Sequence, residues 1–71
     1  LEAEEIQKLI DALPDGYKTV FVLYVVEGYK HSEIAELLHI SEGTSKSQLS
    51  KARSMLQVMI NKQNNTSYGT H

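Results

Sequence analysis

The chain of 71 residues contains no cysteine and no tryptophan, and only one proline and one phenylalanine. Without cysteine, neither a disulfide framework nor a thiolate metal site can form. No stretch approaches the roughly 18 consecutive apolar residues that a membrane-spanning helix requires, so we expect no membrane association. The length leaves room for one small domain. Because the chain begins at Leu1 without a signal-peptide pattern, we expect a domain of a longer cytoplasmic protein.

Signatures of catalysis and of metal binding are missing as well. There is no glycine-rich phosphate loop, no Ser/His/Asp set in a suitable context and no pair of carboxylates in an apolar setting. His31 and His71 have no acidic or thiol partner at metal-ligand spacing. We therefore expect no enzymatic activity, no cofactor and no metal.

Charge is distributed unevenly along the chain, although the formal net charge is only −2. Residues 1–42 hold all nine acids and three lysines, a net charge of −6, whereas residues 43–71 hold four basic residues and no acid, a net charge of +4. This asymmetry favours a second half that faces phosphates. Complementarity to helix dipoles is the alternative explanation, but Lys46 lies near a helix start, where the dipole disfavours a cation.

Helical spacing of apolar residues predicts an all-α bundle without strands or a wing. Pro14 ends the first helix, because the residue before a proline is pushed out of the helical region. Thr19–Val26 has the composition of a strand, but no second strand is available to pair with it, so we predict a buried helix there. The four predicted helices cover residues 2–13, 15–27, 31–38 and 42–62.

Two residues between helices are predicted to adopt the left-handed backbone conformation. Gly28 ends the second helix, and His39 forms the turn after the third. Residues 1–62 are predicted as the folded domain, and the polar residues 63–71 as a disordered tail. The predicted core consists of Ile6, Leu9, Ile10, Leu13, Phe21, Leu23, Tyr24, Ile34, Leu38, Ile40, Leu49, Ala52 and Leu56.

The run from Ser32 to Arg53 is the most informative part of the sequence. It reads as two short helices joined by a tight turn, and Ser41 is placed to cap the second helix through the backbone N–H of Gly43 or Thr44. Leu49, Ala52 and Leu56 give that helix a buried stripe, which leaves a face rich in Ser, Thr and Lys free. This is the pattern of a helix-turn-helix whose second helix enters the major groove of DNA.

The order of motifs resembles region 4, the C-terminal domain of bacterial sigma factors, and most closely that of the extracytoplasmic-function group. The resemblance covers roughly residues 5–60 and rests on Leu13-Pro14, Gly28, the run from Glu33 to Leu38, Gly43-Thr44 and the run from Lys46 to Arg53. It implies a four-helix domain that recognises the −35 promoter element and docks on the β-flap of RNA polymerase. An anti-sigma factor is a further partner that the resemblance implies.

Carried over position by position, the resemblance implies a DNA-contacting set on the recognition helix and at the start of the third helix. The set consists of His31, Thr44, Lys46, Ser47, Gln48, Ser50, Lys51 and Arg53. Three positions depart from the family pattern: Ser45 replaces a buried valine, and Gln48 and Lys51 replace arginines. Because a lysine lacks the bidentate fork of arginine and a glutamine lacks its charge, we expect weaker DNA binding and an altered base preference.

Two other functions remain open at this stage. A response-regulator DNA-binding domain also contains a helix-turn-helix, although such domains usually dimerise through their last helix. A protein-interaction module whose DNA binding has decayed is the alternative from a different class, and the weakened basic face is consistent with it.

Overall fold

The computed structural model describes the backbone of residues 2–69 and the side chains of residues 2–63. The helices are α1 (Ala3–Asp11), α2 (Asp15–Phe21), α3 (His31–Leu38) and α4 (Glu42–Gly69), and α2 continues as a π-helical turn over Val22–Val26. Residues 2–69 contain no strand, so the all-α prediction is confirmed. Over the same residues, no helix is both long enough and apolar enough to cross a membrane.

The connections around α3 use the predicted left-handed residues. Gly28 has φ 80° and lies between the π-helical turn and α3, and His39 has φ 56° directly after α3. The backbone N–H of Ile40 donates to the carbonyl of Ala35 at 3.0 Å, which closes the helix end. These local constraints explain why α3 begins and ends at the predicted residues.

The ambiguous apolar run Thr19–Val26 is helical, as predicted, but its second part has a wider turn. The N–H of Glu27 donates to the carbonyl of Val22, five residues back, at 3.0 Å. A π-helical turn of this kind accommodates an extra residue within a helix. The β-branched side chains are tolerated because packing in a bundle outweighs helix propensity.

The core consists of two clusters that share α4. One contains Ile10, Leu13, Ala52 and Leu56, and the other contains Val20, Ile34 and Leu49. The predicted core differs at three positions: Ile6 is exposed, and Val20 and Ala35 are buried although they were not predicted. Ile6 is 43% exposed because it lies in the first turn of α1, beyond the cluster, whereas Val20 is only 1% exposed.

Helix α4 is longer than predicted. It continues to Gly69 rather than ending at residue 62, because each further residue of a helix adds one hydrogen bond without a new nucleation cost. The amide of Gln63 donates to Glu5 at 2.7 Å and links this extension to α1. The predicted disordered tail over 63–71 therefore overlaps seven residues with a helical backbone, and residues 70 and 71 lie outside the described residues.

Candidate nucleic-acid interface

The start of α4 is held by the predicted cap. The hydroxyl oxygen of Ser41 accepts the backbone N–H of Thr44 at 2.9 Å, and the Ser41 hydroxyl donates to the hydroxyl oxygen of Thr44 at 2.8 Å. Capping satisfies one of the N–H groups that the first helical turn leaves unpaired. The first turn of the candidate recognition helix is therefore ordered before any ligand arrives.

One side of α4 is buried in the bundle. Ser45 and Ala52 are 0% exposed, and Leu49 and Leu56 are less than one tenth exposed. Their spacing of four, three and four residues follows one helical face. The opposite side is left to solvent, and six residues of the predicted DNA-contacting set are exposed there: Thr44, Lys46, Ser47, Ser50, Lys51 and Arg53.

The exposed face has basic residues at its two edges and serines in the middle. At about 100° per residue, Lys46 and Arg53 lie two turns apart along one edge, and Lys51 lies along the other. Ser47 and Ser50 lie between them. Among the side chains described, from 2 to 63, these three cations form no ion pair. The arrangement offers cations to phosphates on both sides and hydroxyl groups to base edges.

Gln48 lies away from this face. Its side chain is half-buried, and its Oε1 is buried without a hydrogen-bond partner. A Cβ atom placed on Gly16 would lie 3.7 Å from that oxygen, so Gln48 lies against the first turn of α2. The free structure therefore does not group Gln48 with the exposed residues of α4.

The side chain of His31 also contacts the interior of the domain. Its Nδ1 lies 2.7 Å from the hydroxyl oxygen of Ser45, and its ring stacks on Tyr24 with 4.4 Å between the ring centroids. The imidazole is half-buried between α3, α4 and the π-helical turn. One ring nitrogen, Nδ1, is therefore engaged inside the domain.

The pairing of His31 with Ser45 is the part of the site that sequence reasoning missed. Ser45 was recognised as a hydroxyl at a position where the resemblance expects a buried apolar residue. A buried hydroxyl needs a hydrogen-bond partner, and this requirement was the available signal. The partner, His31, lies 14 residues earlier in the chain, a separation at which helical spacing gives no information.

Two shallow grooves lie outside the basic face. On α4, Ser54, Met55, Val58 and Met59 line a shallow groove, where Val58 is 57% exposed. On α3 and the loop before it, Tyr29, Glu33, Glu36 and Leu37 line a second groove, which contains two carboxylates. In the segment from Tyr17 to Tyr24, Val20 is buried and the other apolar side chains pack, partly buried, against the two core clusters.

No residue combination in the described part of the chain resembles a metal site, since it contains no group of three His, Asp or Glu side chains close enough to hold an ion.

Comparison with known proteins agrees with this geometry. Residues 3–56 match the family described as "Sigma-70, region 4", a span that contains all four helix starts and the whole exposed face. The chain is also similar to the ECF RNA polymerase sigma factor SigW of Bacillus subtilis (strain 168), with 40% identity over 55 residues. This alignment covers 78% of the chain but only 29% of the relative, so the chain spans less than a third of that protein's length.

Proposed function

Because the chain belongs to the sigma-70 region 4 family, we propose that its recognition helix α4 binds the −35 element of a promoter and that the domain docks on RNA polymerase. The family itself establishes the coarser function: this is a sigma factor domain of transcription initiation, without enzymatic activity. Membership of this family argues against the response-regulator alternative. Two more specific statements are proposals: that α4 binds the −35 element, and that a particular surface of the domain docks on RNA polymerase.

The observation that carries the DNA-binding proposal is the division of α4 into two faces. Its buried stripe fixes the rotation of the helix against α2 and α3, so the serines and lysines must project outwards. An α-helix fits the major groove of B-DNA, where hydrogen-bond donors and acceptors on the base edges distinguish all four base pairs. Lys46, Lys51 and Arg53 supply the charge that the phosphates attract, although the whole chain is slightly acidic.

Fluorescence anisotropy tests this proposal on the domain as it stands. The domain is titrated against duplexes that carry a −35 element or a scrambled sequence, each at a low and a high salt concentration. We expect tighter binding to the −35 duplex, and affinity for both duplexes that falls with salt because counterions are released. Binding that is independent of salt, or that is equal for both duplexes, would instead support the protein-interaction alternative.

For docking on RNA polymerase, we propose the groove of Ser54, Met55, Val58 and Met59 on α4. A helix that docks in a groove inserts its apolar side chains, and this groove is lined almost entirely by apolar atoms. The groove on α3 is less suitable because Glu33 and Glu36 would have to be desolvated against an apolar partner. The β-flap helix is the proposed occupant, and an anti-sigma factor that covered the same groove would compete with it.

Two matched variants separate the grooves. Val58 and Leu37 are 57% and 54% exposed, so a glutamate at either position should leave the fold intact. In a pull-down with a β-flap fragment, we expect Val58→Glu to abolish capture and Leu37→Glu to leave it unchanged. The opposite pattern would indicate that the docking surface lies on α3. If the unaltered domain were not captured at all, docking on the β-flap would be refuted.

A further inference from the structure

Three aromatic and polar side chains meet where α3, α4 and the π-helical turn join. The hydroxyl of Ser45 is completely buried, and it lies 2.7 Å from Nδ1 of His31. Tyr24 stacks on the imidazole with 4.4 Å between centroids and 19° between the ring planes. Stacking and the hydrogen bond together restrict both the tilt and the rotation of the His31 ring.

The direction of this hydrogen bond follows from the burial of Ser45. A neutral imidazole carries one N–H, on Nδ1 or on Nε2, and the position of that hydrogen is inferred from the partners of each nitrogen. If Nδ1 carried the hydrogen and donated it to Oγ of Ser45, the hydroxyl hydrogen of Ser45 would have no acceptor. If Ser45 donates to Nδ1, both groups are satisfied by one bond. Because a buried unpaired donor is costly, the second arrangement is favoured.

We propose that Ser45 is a positioning residue that acts through His31. By donating to Nδ1, it holds the imidazole in the tautomer with the hydrogen on Nε2 and directs that N–H away from the buried stripe of α4. The Nε2–H is then available as a donor to a DNA phosphate oxygen. This inference rests on the proposed function for its ligand, while the tautomer is a property of the free domain.

Nuclear magnetic resonance tests the tautomer without DNA. Two-bond couplings between the ring nitrogens and carbon-bound hydrogens of the ¹⁵N-labelled domain, in mildly alkaline buffer, distinguish the two neutral tautomers. We expect the Nε2–H form in the unaltered domain, a mixture of the two forms in Ser45→Ala, and the Nε2–H form again in Ser45→Thr, which keeps the hydroxyl. A predominant Nδ1–H form in the unaltered domain overturns the proposal, whether or not the variants fold.

DNA binding tests the consequence. We expect Ser45→Ala and His31→Ala each to weaken binding to both −35 and scrambled duplexes by about 3- to 10-fold, as expected for one lost hydrogen bond. The double variant should bind no more weakly than His31→Ala, because the two substitutions remove the same contact with DNA. Ser45→Thr should restore the affinity.

The outcomes for the two proposals are distinct. If Lys51→Ala weakens −35 binding while Ser45→Ala and His31→Ala leave it unchanged, α4 reads DNA but the Ser45–His31 contact does not take part, and this inference is refuted. If the unaltered domain binds no DNA, the proposed function fails, and the phosphate contact fails with it.

Discussion

The Oε1 atom of Gln48 is buried beside Gly16, at a distance of 3.7 Å from the position that a Gly16 Cβ would occupy, and has no hydrogen-bond partner. A glutamine on α4 therefore packs against the start of α2 rather than joining the exposed lysines. An unpaired buried oxygen costs about 1–3 kcal/mol, so this contact is an energetic weakness in the domain.

Replacing Gln48 with methionine removes the unpaired oxygen and keeps the length of the side chain. We expect Gln48→Met to raise the free energy of unfolding by about 1 kcal/mol and to leave −35 affinity unchanged, as measured by urea denaturation and anisotropy. Gln57→Met is the matched control, because Gln57 is exposed on the same helix and bonds Asn61. A loss of DNA affinity in Gln48→Met alone would return Gln48 to the DNA-contacting set that the family resemblance implied.

Lys51 is the exposed residue at one edge of the recognition face. If it reaches a base edge, Lys51→Ala should weaken binding to the −35 duplex by about 1–3 kcal/mol and reduce the preference over scrambled DNA. Lys8→Ala on α1 is the control, because Lys8 is equally an exposed lysine but lies on a helix outside the motif. Equal effects of the two substitutions would contradict a DNA-reading role for α4.

Lys46 lies at the other edge, near the start of α4. As a phosphate contact it carries no sequence information, so Lys46→Ala should lower affinity for all duplexes alike. The slope of log affinity against log salt should become less steep by about one unit. Titrations at four or more salt concentrations measure the slope, and an unchanged slope would exclude a phosphate contact by Lys46.

Ser41 caps α4 through the N–H of Thr44 at 2.9 Å. Removal of this cap in Ser41→Ala should lower the free energy of unfolding by about 1 kcal/mol and loosen the turn that precedes the recognition face. Ser32→Ala, at an exposed serine of α3, should change stability little. Urea denaturation compares the two, and equal stabilities would show that the cap contributes nothing.

His39 adopts φ 56° and ψ 46° after α3, a conformation that costs a residue with a side chain roughly 1–2 kcal/mol. We expect His39→Gly to raise the melting temperature and His39→Val to lower it, because a β-branched residue is least tolerant of this conformation. A lower melting temperature for His39→Gly would reveal an interaction of the imidazole that outweighs the backbone strain.

The sequence predicted those features that depend on near neighbours along the chain. The bounds of α3, the left-handed residues Gly28 and His39, and the Ser41 cap all follow from signals within a few residues. The helix over Thr19–Val26 was predictable because a lone strand has no partner. The exposure of six residues on α4 was predictable because a buried stripe determines which face remains outside; their contact with DNA stays a prediction.

The features that sequence reasoning missed depend on how helices meet. Val20 is buried because it packs against Ile34 of α3 and Leu49 of α4. Gln48 faces α2 instead of solvent for the same reason, since the rotation of α4 is set by its partners. The Ser45–His31 bond joins residues on different helices, and nothing in their local sequence specifies it.

The central position of α4 also has a consequence for the order of folding during protein synthesis. Both core clusters require side chains of this last described helix, Leu49 in one and Ala52 with Leu56 in the other. As the ribosome releases α1, α2 and α3, both clusters lack the α4 side chains that complete them until Leu56 has emerged. We therefore expect the nascent first half to stay accessible to chaperones and proteases, and the domain to form in a single late, cooperative step.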